Sequence, residues 1–422
     1  MLNIAYTVLI CVFFIVLGWS LYNLPILAVG VRNLRLSRKK RRGKLLNEGK
    51  LPTFSIIVPV KNEEKVISRL FTALLKLNYP KDKMDIIVVE DGSTDKTLDI
   101  CMGYAKENGN IIKVVRKPFS DGKPSALNYG IRHAKGEIVG IFDADSVPDP
   151  DALINVSKYF EDGRVAAVQG RTLSINSDEN MLTKFISYEE AVWCETYLRG
   201  KDVLDLFVHL KGNCQFFRRD VLEKFGGFDE DALSEDMEMS ARLTEKGYKI
   251  RYAPDVHAWQ ESPADLKQLF RQRTRWFRGT IEVALKYGRL MTKFSRKSFD
   301  AETTLFGPFI LIASLVTYVA GFCSFFLSFQ FDVLWGAMVQ LMTFICTLTI
   351  FVCGLALVYV SKPRRAANLL WLPFIYFYWS LQAFIAFYAM LLILLRRSRR
   401  WNKTEKRGVV NNKNLLNVCD VC

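Results

Sequence analysis

Three short stretches of this chain carry side chains whose types and spacing can do chemistry. Asp143-Ala144-Asp145 sets two carboxylates two residues apart. Ser234-Glu235-Asp236 puts a hydroxyl beside two more carboxylates, and Gln272-Arg273-Thr274-Arg275-Trp276 gathers an amide, two guanidinium groups and an indole. Paired carboxylates suit a hard divalent cation such as Mg2+ or Mn2+, which takes oxygen ligands and is often shared with phosphates. An aspartate in a first helical turn can serve as a general base toward a hydroxyl, although acids there also answer the helix dipole alone. An indole beside a guanidinium can stack a polar ring and pair with an anion. On an interfacial helix the same residues can simply contact lipid headgroups.

Three further sites belong with these. Val89-Glu90-Asp91-Gly92-Ser93-Thr94-Asp95 ends a predicted strand. A carboxylate there can accept hydrogen bonds from a base or a ribose, while a plain strand-turn-helix with Ser93 or Thr94 as the cap explains the rest of the motif. Lys123 opens a helix, where it either meets a phosphate beside free backbone amides or stays solvated. His257, one of three histidines, is either a further metal ligand or a structural ring.

The surrounding pattern supplies the elements that must position these groups. From Phe54 the chain alternates strand and helix. Residues 54–60, 85–90, 111–115 and 137–142 are short apolar runs fit for buried parallel strands, with helical spacing over 63–77 and a helix over 125–134. Such alternation predicts a doubly wound α/β sheet with ligands at the carboxyl ends of its strands. Asp91 and Asp143 fall at those ends. Farther on, 164–170 reads as a strand, 179–210 contains an aromatic-rich amphipathic helix, and 234–246 is a helix stopped by Gly247 and followed by a strand through Tyr252. Residues 264–290 form a basic, aromatic, amphipathic stretch suited to a membrane interface.

Apolar sequence brackets this domain. The 422 residues allow one sizeable soluble domain plus membrane helices. Residues 4–31 form an uncharged apolar run that exceeds the roughly 20 residues needed to cross a bilayer, and a basic cluster follows from Arg32 to Lys44. A cleavable leader has its charge before a shorter core, so this run reads as a retained anchor with its N-terminus outside and Arg32 onward inside. Blocks at 305–329, 333–360 and 369–395 are each long enough to span. Three crossings would leave Arg396-Arg397-Ser398-Arg399-Arg400 outside, against the positive-inside tendency, and that basic flank favours a cytoplasmic tail.

The formal net charge of +15 collects beside the apolar runs, where it meets the headgroups of membrane lipids. The soluble part carries no basic and stacking-aromatic stripe, which argues against nucleic acid as a partner. The nine cysteines suit a reducing compartment, and Cys419-x-x-Cys422 lacks the second pair of a zinc site. The expected division is 1–46 anchor and basic flank, 47–260 catalytic domain, 261–300 interfacial helices, 301–395 membrane block and 396–422 basic tail.

In this order the motifs resemble the membrane-integrated family 2 glycosyltransferases, the group that contains cellulose, hyaluronan, chitin and poly-N-acetylglucosamine synthases. The likeness rests on Ile57-Val-Pro-Val-Lys-Asn-Glu63, Val89-Glu-Asp-Gly-Ser-Thr-Asp95, Gly122-Lys-Pro-Ser-Ala-Leu-Asn128, Asp143-Ala-Asp145, Gly226-Gly-Phe228, Ser234-Glu-Asp236 and Gln272-x-x-Arg275-Trp276. Trp401-Asn-Lys-Thr404 is similar to a Trp-x-x-Thr element that follows the membrane helices of some members, and a true match would bring the tail near the active site.

The resemblance implies a GT-A domain inserted between transmembrane helices, using a nucleotide-diphosphate sugar, usually UDP-linked, with Mg2+ or Mn2+. By the same likeness Glu63 and Asp91 hold the nucleoside and Lys123 sits near the uracil or diphosphate. Asp143 and Asp145 serve donor and metal, and Asp236 is the base of an in-line, inverting displacement. Gln272, Arg275 and Trp276 line the acceptor end and the diphosphate. Ser234 stands where the family usually has threonine and keeps the hydroxyl. The implied activity is elongation of a β-linked polysaccharide, coupled to export, by an integral cell-membrane protein with a cytosolic catalytic domain. A single-addition enzyme acting on a lipid acceptor and an inactive membrane scaffold are its rivals. With fewer membrane segments than the larger synthases, the chain leaves both a reduced channel and a homo-oligomer open.

Overall fold

The computed structural model describes residues 2–37, 51–288, 295–326, 370, 372–399 and 404–409, with five isolated positions between 340 and 348. Apart from those positions the apolar block at 333–360 lies outside the described residues, as do Trp401 and the Cys419-x-x-Cys422 end.

The chain runs through α1 (Leu2–Ser37), β1 (Phe54–Val60), α2 (Ile67–Leu75), β2 (Met84–Glu90), α3 (Thr97–Glu107), β3 (Ile112–Arg116), α4 (Lys123–Ile131), β4 (Ile138–Ile141), β5 (Val147–Pro148) and α5 (Ala152–Ser157). It continues with β6 (Val165–Ser174), α6 (Met181–Val192), a π-helical turn (Trp193–Leu198), α7 (Arg199–Val203), β7 (Gln215–Arg218), α8 (Arg219–Lys224), α9 (Glu235–Glu245) and β8 (Lys249–Gln260). Then come α10 (Leu266–Tyr287), α11 (Arg296–Leu305), α12 (Gly307–Phe326) and α13 (Leu372–Leu394).

The strands form one sheet in the order β3-β2-β1-β4-β7-β6-β8-β5. β3, β2, β1 and β4 are parallel, the doubly wound half that the alternation predicts. The other half is mixed: β7 runs antiparallel to both β4 and β6, β6 and β8 are parallel, and β5 is antiparallel to β8. The four-residue β7 is too short to show a period, so its state is set by its two neighbours. β8 continues to Gln260 rather than ending at Tyr252.

Period-two alternation on β1 builds the layers. Phe54, Ile56, Val58 and Val60 join the core on the α2 face, whereas Ile57 packs with Leu127 and Ile131 of α4 on the other. Burying an aliphatic side chain of this size contributes about 1.5–3 kcal/mol. Ser55, the polar residue in this run, donates to Asp85 Oδ1 over 2.7 Å and accepts from the amides of Lys135 and Gly136.

Among the described residues two helices are long and apolar enough to cross a membrane, over Thr7–Leu36 and Pro373–Leu394, and the pair α11–α12, bent by 52°, adds a third if it is one span. α1 lies backbone-on-backbone against the π turn and α7. A Cβ on Gly200 would stand 2.1 Å from the Ile26 carbonyl oxygen, and one on Gly30 only 1.8 Å from that of Thr196. A buried ion pair joins these helices to α11: Lys201 Nζ is 2.8 Å from Asp300 Oδ2, and the Tyr22 hydroxyl donates to Asp300 Oδ1 over 3.0 Å. Beyond α13, residues 404–409 return to the catalytic domain, so this part of the tail and the domain lie together.

Candidate active site

The loops that follow β1, β2 and β4 lie side by side because their strands are adjacent in register. The first two brace each other. Asn62 adopts a left-handed backbone with φ 54°, accepts from the Thr94 amide at 2.7 Å and donates its own amide to Ser93 Oγ at 3.1 Å. Ser93 and Thr94 therefore hold the Glu63 loop and do not cap α3. That helix starts later, and Asp95 Oδ1 accepts from the Thr97 amide at 3.0 Å. The Glu63 amide donates to Thr97 Oγ1 over 2.7 Å. Asp91 is only 4% exposed. Burial raises its carboxyl above the ordinary value, against a hydrogen bond from Ser120 at 2.9 Å and the Lys117 ammonium at 3.6 Å.

Lys123 joins three parts of the site. It opens α4 beside Pro124, which suits a first helical turn because its missing N–H has no partner to lose there. Its Nζ lies 2.6 Å from Asp143 Oδ1, 2.8 Å from the Gly212 carbonyl oxygen and 3.4 Å from Glu235 Oε1. Burial opposes the charge, yet Asp143 and Glu235 keep the ammonium protonated well above the usual lysine range. Asp236 follows on the first turn of α9, where its Oδ1 accepts from the Ser234 hydroxyl and the Met237 amide, each at 2.8 Å. Burial, then the charge of Glu235, pushes the Asp236 carboxyl up to about 6. A base poised there is matched to proton abstraction near neutral pH.

The two carboxylates of the Asp143-Ala144-Asp145 turn diverge. Asn213 Oδ1 organises the turn, accepting from the Asp143 amide at 3.2 Å and from Ser146 Oγ at 2.8 Å. Burial holds the Asp143 carboxyl above its usual value despite the pull of Lys123. Asp145 Oδ2 accepts from the Glu261 amide at 3.0 Å and from Lys406 Nζ at 2.7 Å. Burial alone would raise Asp145, but Lys406, the Glu261 amide and Arg69 together outweigh it and the carboxyl stays below the ordinary range. Lys406 arrives on the tail because Glu261 receives the amides of Arg407 at 2.7 Å and Gly408 at 3.1 Å.

α10 closes a further side of this group. Asp265 caps it, accepting from the Gln268 amide at 2.9 Å. Gln272, Arg275, Trp276 and Gly279 recur at helical spacing and share one face. Gly279 seats that face on the Ser234–Asp236 turn: a Cβ there would stand 2.6 Å from Ser234 Cβ. Arg275 Nη1 lies 3.5 Å from the Leu233 carbonyl oxygen. The Arg273 guanidinium sits 4.6 Å from the centre of the Trp276 ring, a cation–π contact that covers one face of the indole. Arg273 also pairs with Glu189, which accepts from the Tyr378 hydroxyl of α13 at 2.7 Å.

His257 does not join this group. Its Nδ1 is 2.7 Å from Asp149 Oδ2 and its Nε2 2.8 Å from the Pro254 carbonyl oxygen. Both ring nitrogens lie against oxygens, of Asp149 and of Pro254, and that is where the structure places this candidate metal ligand on β8.

Residues 52–279, from the strand that leads to Glu63 through Gly279 of α10, match the family described as glycosyltransferase-like family 2. The chain belongs to that family.

Among family 2 relatives, the probable glycosyltransferase YdaM of Bacillus subtilis is 31% identical over 373 residues, 85% of this chain and 88% of that protein. The beta-monoglucosyldiacylglycerol synthase of a Nostoc species is 34% identical over 63% of this chain, and the poly-beta-1,6-N-acetyl-D-glucosamine synthase of Staphylococcus aureus is 30% identical over 60% of it. The chain spans 57% and 60% of the lengths of these two synthases. The mannosyltransferase PcManGT of Pyrobaculum calidifontis, solved with GDP-Man and Mn2+, superposes with a TM-score of 0.57 at 22% identity, over 92% of this chain and 100% of that one. That likeness is one of fold, and the family 2 glycosyltransferase domain here is a GT-A-like α/β domain with a mixed sheet.

Divalent metal use is plausible in such a fold. Among the described residues no group of three His, Cys, Asp or Glu is arranged to hold a metal ion. Asp143 and Asp145, each held by a lysine, offer one carboxylate apiece, and Mg2+ is commonly held by one or two carboxylates with substrate phosphates supplying further oxygens.

The sequence reading assigns no role to Glu235, Gly212, Asn213, Glu261, Arg273 or Lys406. Arg273 is visible as the second guanidinium of its motif, and Lys406 as a cation just past Thr404. Asn213 gives no local signal, because it meets the Asp143 turn only through the fold.

Proposed function

We propose that this family 2 glycosyltransferase uses a UDP-sugar to elongate a β-linked polysaccharide, with inversion, at the cytoplasmic face of the membrane. The observation that carries the reading is Lys123, whose single ammonium bridges Asp143 to Glu235 beside Asp236. Donor-side carboxylate and base are thereby held in one constellation.

In this reading Glu63 and Asp91 accept hydrogen bonds from the nucleoside, and Lys123 and Arg275 offset the charge of the diphosphate. Asp143 and Asp145 would hold Mg2+ or Mn2+, which supplies electrostatic stabilisation of the leaving diphosphate. Asp236 takes the proton of the acceptor hydroxyl as that oxygen attacks the anomeric carbon. The bond from carbon to the UDP oxygen breaks on the opposite side, and UDP departs with the electron pair. Gln272 and Trp276 hold the acceptor, the indole offering the face that Arg273 leaves uncovered.

The polymer reading is supported by a polar and aromatic seam that runs from Trp276 through Arg273 and Glu189 to Tyr378 on α13. Such a seam suits a carbohydrate chain moving toward the membrane helices. The apolar helices at both ends and the basic flank after α1 support an integral membrane protein with a cytosolic domain. A lipid acceptor is the second reading, favoured by the 34% identity to the glucosyldiacylglycerol synthase.

Purified full chain incubated with labelled UDP-sugars and Mg2+ or Mn2+ separates these readings. A ladder or high-mass aqueous product supports polymerisation. One organic-extractable glycolipid supports the lipid reading, and no transfer from any donor returns the chain to a scaffold role.

A further inference from the structure

A second polar site lies away from the carboxylates, where the end of α10 meets the end of α13. A cavity of about 490 Å3 opens there, walled by Arg278 and Glu282 on one side and by Arg396, Arg397 and Arg399 on the other, with Leu285 and Ile393 as apolar flanks. Four guanidinium groups face one carboxylate. Arg278 is 8% exposed and is spent on construction: it pairs with Glu282 at 3.1 Å and donates to the carbonyl oxygens of Ser398 at 3.1 Å and Arg397 at 2.7 Å. It thereby fixes the chain that carries the outer arginines. Arg399 reaches Glu282 at 3.3 Å. Arg396 and Arg397 have no acidic partner among the described residues, so the cavity keeps an excess of positive charge.

The backbone at Arg396 adds a separate argument. α13 ends with the Arg396 amide donating to Ile393 and the Arg397 amide to Leu392, at 2.9 and 3.0 Å, and Arg396 has φ 50°. This is the helix-ending motif whose left-handed position usually takes glycine. An arginine there accepts a steric cost that glycine avoids. A strained residue whose side chain borders a basic cavity is more economically explained by that side chain than by the turn.

The setting selects the anion. The apolar helix of α13 ends at the rim, Leu394 and Leu395 are 66% and 65% exposed, and Leu285 is 65% exposed. Phosphate charge complements the arginines, and an acyl chain complements the exposed leucines. We propose that this cavity binds the headgroup phosphate of one anionic phospholipid, with the acyl chains along Leu285 and Leu394. The site is separate from the donor carboxylates, yet α10 links them, since Arg278 stands one turn beyond Arg275.

The test uses full-length protein in detergent with dioleoylphosphatidylglycerol, read by native mass spectrometry. The informative variants are Arg396→Gly, which removes the charge while giving the turn its preferred residue, and Arg397→Gln. The expected result is one retained phosphatidylglycerol on the wild type, weakened roughly twenty-five-fold in the double variant, from about fivefold per arginine near a charged headgroup. The melting temperature of Arg396→Gly should equal or exceed that of the wild type. Dioleoylphosphatidylcholine should not be retained, and inorganic phosphate at equal concentration should not displace the lipid. Equal retention by wild type and double variant overturns the proposal, as does equal retention of phosphatidylcholine. Displacement by inorganic phosphate overturns the lipid assignment in favour of a free-anion site.

Discussion

Lys123 Nζ lies 2.6 Å from Asp143 Oδ1, and the same ammonium reaches Glu235 next to the proposed base. One cation thus couples the end of β4 to the first turn of α9, two segments about ninety residues apart in the chain. Neither carboxylate can be altered without changing the field at the other.

The role of Asp236 is tested by Asp236→Asn and by pH together. The substitution should lower kcat by roughly 10²–10⁴-fold, the usual worth of general base catalysis, while UDP binding persists. In the wild type the unprotonated carboxylate is the active form. Its pKa is pushed up to about 6 by burial and Glu235, so the rate should fall as pH drops through that value. A rate profile flat across this range, or full activity in Asp236→Asn, removes Asp236 from the mechanism.

If Asp145 holds a divalent cation, Lys406 competes with it for that carboxylate, since the ammonium stands 2.7 Å from Asp145 Oδ2. Lys406→Met should lower the Mn2+ concentration that half-saturates the nucleotide-free protein by roughly thirtyfold, for about 2 kcal/mol of removed repulsion between a single and a double positive charge some 4 Å apart in water. Electron paramagnetic resonance of free Mn2+ measures this directly. An unchanged or weaker affinity separates Asp145 from metal binding.

Trp276→Ala should stop elongation and leave UDP-sugar affinity intact if, as proposed, the indole holds the acceptor. Isothermal titration with UDP, paired with product sizing, reads both effects. Equal loss of donor affinity would mean that the Arg273–Trp276 contact supports the fold or the donor pocket instead.

The joint between the anchor and the catalytic domain depends on Lys201 and Asp300, both fully buried. Asp300→Ala leaves the ammonium without its counter-charge and should destabilise the protein by about 3–5 kcal/mol, whereas replacing both partners with apolar residues of similar volume should be far milder. Thermal unfolding of the single and double variants checks this. A double variant as unstable as the single one contradicts it.

Much of this arrangement could be read from local sequence. The four parallel strands and the placing of Asp91 and Asp143 at their ends follow from β-branched runs with turns at fixed positions. The helix that carries Gln272, Arg275 and Trp276 follows from its own period. What stayed hidden depends on contacts between distant segments. β7 is four residues long and takes its state from its neighbours, Asn213 serves a turn far away in the chain, and His257 meets Asp149 only through the fold. The tail is an intermediate case: the Trp-x-x-Thr likeness hints that it approaches the site, but only the fold pairs Lys406 with Asp145.

The anomeric configuration of the product tests single displacement by Asp236 most directly. With a UDP-α-sugar as donor, attack opposite the leaving diphosphate predicts a β-linked product, seen in the proton NMR coupling of the new glycosidic centre. An α-linked product would require retention of configuration, and so a route in which Asp236 does not act as the base of one in-line step.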